Sequence, residues 1–66
     1  MYEYEIDIDV VDNNKNKLTI KRYYVLPIMG RYQLKDKIDD LLKKDIDIQK
    51  YTLIGYNVVN WDEVYN

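Results

Sequence analysis

This sequence predicts a small α+β domain of order ββαβ, an antiparallel β-sheet with one helix packed on one face, and three observations predict it. Apolar and acidic residues alternate without a slip through YEYEIDID, Tyr2 to Asp9. An Asn-rich stretch then separates this run from a second one rich in β-branched and aromatic residues. Between residues 31 and 44 the apolar positions fall at helical spacing, and a third β-rich run follows. The chain, residues 1–66, reads as a single domain without linker or repeat. At this size only about 60% of the unfolded surface is buried on folding, which argues against a deep catalytic cleft.

The first strand is Tyr2 to Val11, with Tyr2, Tyr4, Ile6, Ile8 and Val10 on one face and Glu3, Glu5, Asp7 and Asp9 on the other, because successive side chains alternate sides. Asp12 to Asn16 (DNNKN) is turn chemistry, Asn tolerating the left-handed conformation that a short hairpin loop needs. The return strand is Lys17 to Leu26. Directly opposed residues share a face, so setting Val10 opposite Leu18 brings Ile8 to Ile20, Tyr4 to Tyr24 and Tyr2 to Leu26. The same register sets Ile6 against Arg22, a misfit that predicts a bulge or a snorkelling side chain there. A shift by one residue is worse, since it opposes Ile8 to Lys21 and Val10 to Thr19.

Pro27 to Gly30 ends the hairpin, since Pro cannot donate to a ladder and Gly permits a break. A helix follows from Arg31 to Lys44, with Leu34, Ile38, Leu41 and Leu42 forming one stripe toward the sheet and Lys43 and Lys44 suiting its C-terminal end. Its charged face, with Asp39 and Lys43, and Asp40 and Lys44, four apart, reads as solvated surface. The third strand is Lys50 to Val59, with Gly55 as a bulge or close-approach point. Asn60 to Glu63 match a capping box, so the tail is expected as one helical turn or a short fourth strand.

Composition excludes most catalytic chemistry. The chain has no Cys, His or Ser, so thiolate and imidazole metal sites are absent, and Thr19 and Thr52 have no His to activate them. No enzyme activity, metal or cofactor is expected. No basic region followed by an apolar core opens the chain and no apolar run is long enough for a membrane span, so the expected localisation is cytoplasmic. Lys, Asn, Ile and Tyr supply 30 of the 66 residues, a mark of AT-rich coding. DNNKNK opens like a calcium loop, but Lys17 stands where that loop needs Gly and Tyr23 where it needs the bidentate Glu, so calcium is rejected.

The four carboxylates of the first strand step by roughly 6.8 Å, a spacing that resembles successive phosphates of a nucleic-acid strand. Alternation is also what any half-exposed strand needs, provided cations across the pair neutralise the acids. In the register above only Asp7 has a cation opposite it, Lys21, while Asp9 faces Thr19, Glu5 faces Tyr23 and Glu3 faces Val25. Net charge is only −2, so an electrostatic function has to come from a local face. Direct nucleic-acid binding through IKRYY is disfavoured by the neighbouring acids and a pI near 4.9.

Eight Tyr and one Trp exceed what a core this small can bury, and Tyr23, Tyr32, Tyr51, Tyr56, Trp61 and Tyr65 are expected at the surface. The function expected is a small non-enzymatic protein-binding module that docks Glu3, Glu5, Asp7, Asp9, Tyr23, Tyr56 and Trp61 on a basic protein surface. In size, composition and AT-rich coding the chain resembles small phage or mobile-element inhibitors, decoys aimed at host nucleic-acid enzymes or defence nucleases, although no motif carries that resemblance. One alternative is a structural or regulatory homo-oligomer, such as a homodimer, pairing through a sheet edge and the Tyr surface. The other is a sheet-based DNA binder.

Overall fold

The structure, a computed structural model, describes residues 1–64. In chain order it contains β1 (Tyr2–Asp12), β2 (Lys17–Leu26), α1 (Arg31–Asp45) and β3 (Tyr51–Glu63). The three strands form one antiparallel sheet of order β2-β1-β3, so the acidic strand is the central one. Since β2 and β3 both run opposite to β1, they are parallel to each other, and the connection through α1 crosses over β1.

The β1–β2 register is the one the alternation implies, with Tyr2 opposite Leu26 and Val10 opposite Leu18. At Arg22 the ladder carries no bulge. The side chain is half-buried and turns back along its own strand, Nη1 donating to the Lys21 carbonyl at 3.0 Å, which is the snorkelling alternative. In the hairpin turn the left-handed residue is Lys15, with φ 66°, and none of the three Asn residues takes that conformation. Asp12 does the shaping instead. Its Oδ1 accepts the Asn14 and Asn16 backbone N–H groups at 2.9 and 2.8 Å, and these bonds force the sharp bend onto the following Lys15.

The stripe on α1 packs as its spacing implies. Ile38 and Leu42 are fully buried, Leu34 and Leu41 lie at the margin, and Ile46, which caps the helix, is also buried. These residues meet Tyr4, Ile6, Ile8 and Val10 of β1 and Leu26 of β2, an eight-residue core on one side of the sheet. No side-chain cap starts the helix. Gln33 Oε1 accepts the Gly30 N–H at 3.2 Å instead.

β3 departs most from expectation. It runs on to Glu63, so Asn60 to Glu63 form neither a helical turn nor a separate strand. The reason is the open edge of β1, whose backbone groups from Tyr2 to Glu5 take Glu63 to Asn60 as partners. The β1–β3 ladder shifts twice: Asp9 pairs Gly55 while Val10 pairs Leu53, and Glu5 pairs Asn60 while Ile6 pairs Val58. Ile54 and Val59 are therefore extra residues, each making a bulge that resets the face on which the following residues fall. A bulge thus adjoins Gly55, but that residue marks no close approach, since a Cβ there would meet nothing within 4 Å. Tyr51, Tyr56 and Trp61, spaced by five, all fall on the helix side. Strict alternation from Tyr51 would have sent Tyr56 to the opposite face. As a result Tyr51 and Tyr56, expected at the surface, are half-buried against the core, whereas Tyr23, Tyr32 and Trp61 are exposed. Tyr65 lies outside the described residues.

The domain measures 41 × 18 × 17 Å. A 15-residue helix is only about 22 Å long, so α1 covers about half the length of the sheet, and the face opposite α1 has no covering element among the described residues. Among the described residues no helix is long and apolar enough to cross a membrane.

Candidate functional site

The face opposite α1 is built from alternate residues of all three strands. β1 contributes Glu3, Glu5, Asp7 and Asp9 along the middle of the sheet. The pairings set Val25, Tyr23, Lys21 and Thr19 beside them on β2, and Asp62, Asn60, Asn57 and Gly55 beside them on β3. The acidic file is thus a central ridge. Its β2 flank supplies one cation and two hydroxyls, and its β3 flank supplies two amides and a further carboxylate.

Lys21 holds the middle of the ridge. Its Nζ lies 3.1 Å from Glu5 Oε2 and 3.0 Å from Asp7 Oδ1. The contact with Asp7 is too poorly angled for a directed hydrogen bond, so that shielded oxygen is held by charge. Asp7 first and Glu5 second raise the Lys21 ammonium above its ordinary pKa. Tyr23 Oη donates to Glu5 Oε1 at 3.1 Å and Thr19 Oγ1 to Asp9 Oδ1 at 3.2 Å. The bond to Glu5 is also the main cause of the raised Tyr23 pKa.

Among the described residues no Lys or Arg side chain forms an ion pair at either end of the ridge. Asp9 has a hydroxyl partner only. At the other end Val25, Glu3 and Asp62 share one rung, so like charge faces like charge across β1 and β3, an arrangement that disfavours folding. Counting Lys17, which pairs with Val11, the face carries five side-chain carboxylates and two Lys ammonium groups among the described residues. Among the described residues no cluster of three or more His, Cys, Asp or Glu is placed to hold a metal ion. Asp12, first residue of the calcium-like stretch, spends its carboxylate on the turn. Chiefly the Asn16 N–H lowers its pKa, with Asn14 adding to the effect.

The seven residues expected at a partner surface do not all converge. Glu3, Glu5, Asp7, Asp9 and Tyr23 share the open face, and Tyr23 stands 56% exposed beside Glu5. Tyr56 and Trp61 pair with Ile8 and Tyr4 and so belong to the helix side. Burial first, and then the Asp39 carboxylate, raise the Tyr56 phenol above its ordinary pKa. Asp62, Asn60 and Asn57, absent from the expected set, join the acidic face. Asn57 changes face only because of the bulge at Ile54, whereas Asn60 and Asp62 keep the phase of Tyr51 and were missed because the expected strand stopped at Val59. Comparison with known protein families, curated proteins and solved structures finds no match.

Proposed function

We propose that this protein is a non-enzymatic binding module whose open sheet face docks on a basic protein surface, as an inhibitor or decoy of the kind phages and mobile elements direct against nucleic-acid enzymes. The observation that carries this reading is the rung where Glu3 faces Asp62 at one end of a ridge with five carboxylates and two cations. Folding gains nothing from that juxtaposition, whereas a cationic groove would meet every carboxylate at once. The face is also physically suited to docking. It has no covering element among the described residues, runs with the long axis of the domain, and carries Tyr23 and Val25 as exposed apolar flank beside the charges. Aromatic anchors next to charge are the composition of interface centres.

Self-association by edge pairing is the weaker alternative. The bulges at Ile54 and Val59 interrupt the outer edge of β3, and a β2–β2 contact between copies would bring Lys17, Lys21 and Arg22 together. A DNA-binding sheet is opposed by the sign of the face.

The test is capture from lysate on immobilised wild-type protein and on the quadruple variant Glu3→Gln, Glu5→Gln, Asp7→Asn, Asp9→Asn, with mass spectrometry of what is retained. Wild type is expected to retain proteins with basic nucleic-acid-binding surfaces and to release them as salt rises. The variant is expected to bind them at least about tenfold more weakly, with a flatter salt dependence. Equal retention by both proteins at every salt concentration would falsify the reading.

A further inference from the structure

The helix side of the sheet carries a second surface, separate from the acidic ridge. Because α1 is shorter than the sheet, its N-terminal half and the 27–30 segment leave an open groove of about 510 Å³ against the Tyr2, Val58 and Trp61 end of the strands. That volume falls within the roughly 300–1,000 Å³ of small-molecule sites. The lining is aromatic and aliphatic, with a single charged side chain, Arg31, and no carboxylate. The Arg31 guanidinium forms no hydrogen bond or ion pair among the described residues, although the net charge of the chain is negative. The groove is also partly exposed apolar surface, with Trp61 60% and Ile28 72% accessible.

We propose that this groove binds an apolar monocarboxylic acid, of the medium-chain fatty or arylalkanoic class, with its chain on Trp61, Tyr2, Val58 and Leu34 and its carboxylate paired with Arg31. Charge complementarity selects this class. An apolar cation is repelled by the guanidinium, and a neutral hydrocarbon leaves it without a partner. A dicarboxylate would have to bury its second charge against Leu34 and Val58, where no donor answers it. A guanidinium is suited to this role because its planar fork matches both carboxylate oxygens. Concave shape favours a small ligand over an extended protein segment, which needs a longer track than one end of one helix supplies.

Trp61 is the single Trp of the chain, so its emission reports occupancy directly. The full chain is titrated with sodium decanoate below its micellar concentration, with decanol, and with a short peptide ending in Leu as a second source of an apolar carboxylate. Decanoate is expected to give a saturable blue shift, with amide shifts in nuclear magnetic resonance largest at the groove lining, Tyr2, Arg31, Leu34, Val58 and Trp61 among them. Arg31→Gln should weaken decanoate at least about tenfold, equivalent to about 1.4 kcal/mol, and Arg31→Lys, which keeps the charge but lacks the fork, should bind between the two. Decanol should bind both proteins alike and more weakly than decanoate binds wild type. Absence of a saturable shift, equal decanoate affinity in wild type and Arg31→Gln, or binding of the peptide without binding of decanoate would each overturn the proposal. None of these outcomes bears on the acidic ridge, so the two sites are tested independently.

Discussion

At the scale of single residues, several hydroxyl and ammonium protons are held by carboxylates. Lys21 spans Glu5 and Asp7, Tyr23 donates to Glu5, and Tyr24 donates to Asp45. Burial, reinforced by Asp45, lifts the Tyr24 phenol far above its ordinary value of 10.0, and burial with Asp39 lifts Tyr56. Lys21 is raised from 10.5 and Tyr23 from 10.0. All four groups hold their protons more tightly in the folded state. Their contribution is therefore complete below the unfolded values and is lost as pH rises through the folded ones. Stability is expected to be flat from neutral pH to about 10 and to fall above it, more gently in Tyr24→Phe, which lacks one of the four protons. Asp12 acts in the opposite sense. Its lowered pKa contributes above 3.8 and is lost as pH falls through the folded value. Urea midpoints measured across the alkaline range check the first limb, and a midpoint unchanged well above pH 10 would contradict these pairings.

At the scale of elements, what was legible in the sequence depended on whether one period ran unbroken. β1 and β2 alternate cleanly, so their bounds, register and faces could be read, and α1 carries a single apolar stripe with matching bounds to within one residue. β3 changes phase twice. In LIGY and in VVN adjacent apolar residues satisfy either phase, so nothing local marks Ile54 and Val59 as the extra residues. That ambiguity hid the burial of Tyr56, while the helix-side position of Trp61 and the place of Asp62 on the acidic face were hidden because the expected strand ended at Val59 and β3 runs on to Glu63. The central position of β1 was also hidden, because strand order depends on which edge the crossover reaches. The bulges have a further consequence: both lie on an open edge strand, where an irregular ladder discourages pairing with another chain. Deleting Val59 leaves Val58 opposite Ile6 and Asn60 opposite Glu5, so the fold should persist while the edge becomes regular from Gly55 to Glu63, the bulge at Ile54 remaining. The deletion variant is expected to keep its far-ultraviolet circular dichroism and to self-associate more than wild type in sedimentation velocity. Unaltered sedimentation would remove the protective role assigned to the bulge.

At the scale of the whole molecule, both surfaces depend on one thin core. Eight side chains between α1 and the sheet hold β1 in place, and β1 presents the acidic ridge on its far side and the groove residues Tyr2 and Tyr4 on its near side. A 66-residue domain at about 0.05–0.15 kcal/mol per residue has about 3–10 kcal/mol of stability in total. Leu42 is fully buried at the centre of that core, and Leu→Ala at such a site costs about 2–5 kcal/mol. Leu42→Ala should therefore remove on the order of half the stability. Tyr32→Ala, at an exposed position of the same helix, should change it by no more than about 0.5 kcal/mol. The neutralised ridge variant is expected to fold at least as well as wild type, because removing carboxylates relieves the Glu3–Asp62 repulsion. Chemical denaturation of the three variants separates the fold from the sites it carries. If Leu42→Ala costs less than about 1 kcal/mol, then α1 is not seated on the sheet through Leu42, and the groove between them loses its wall.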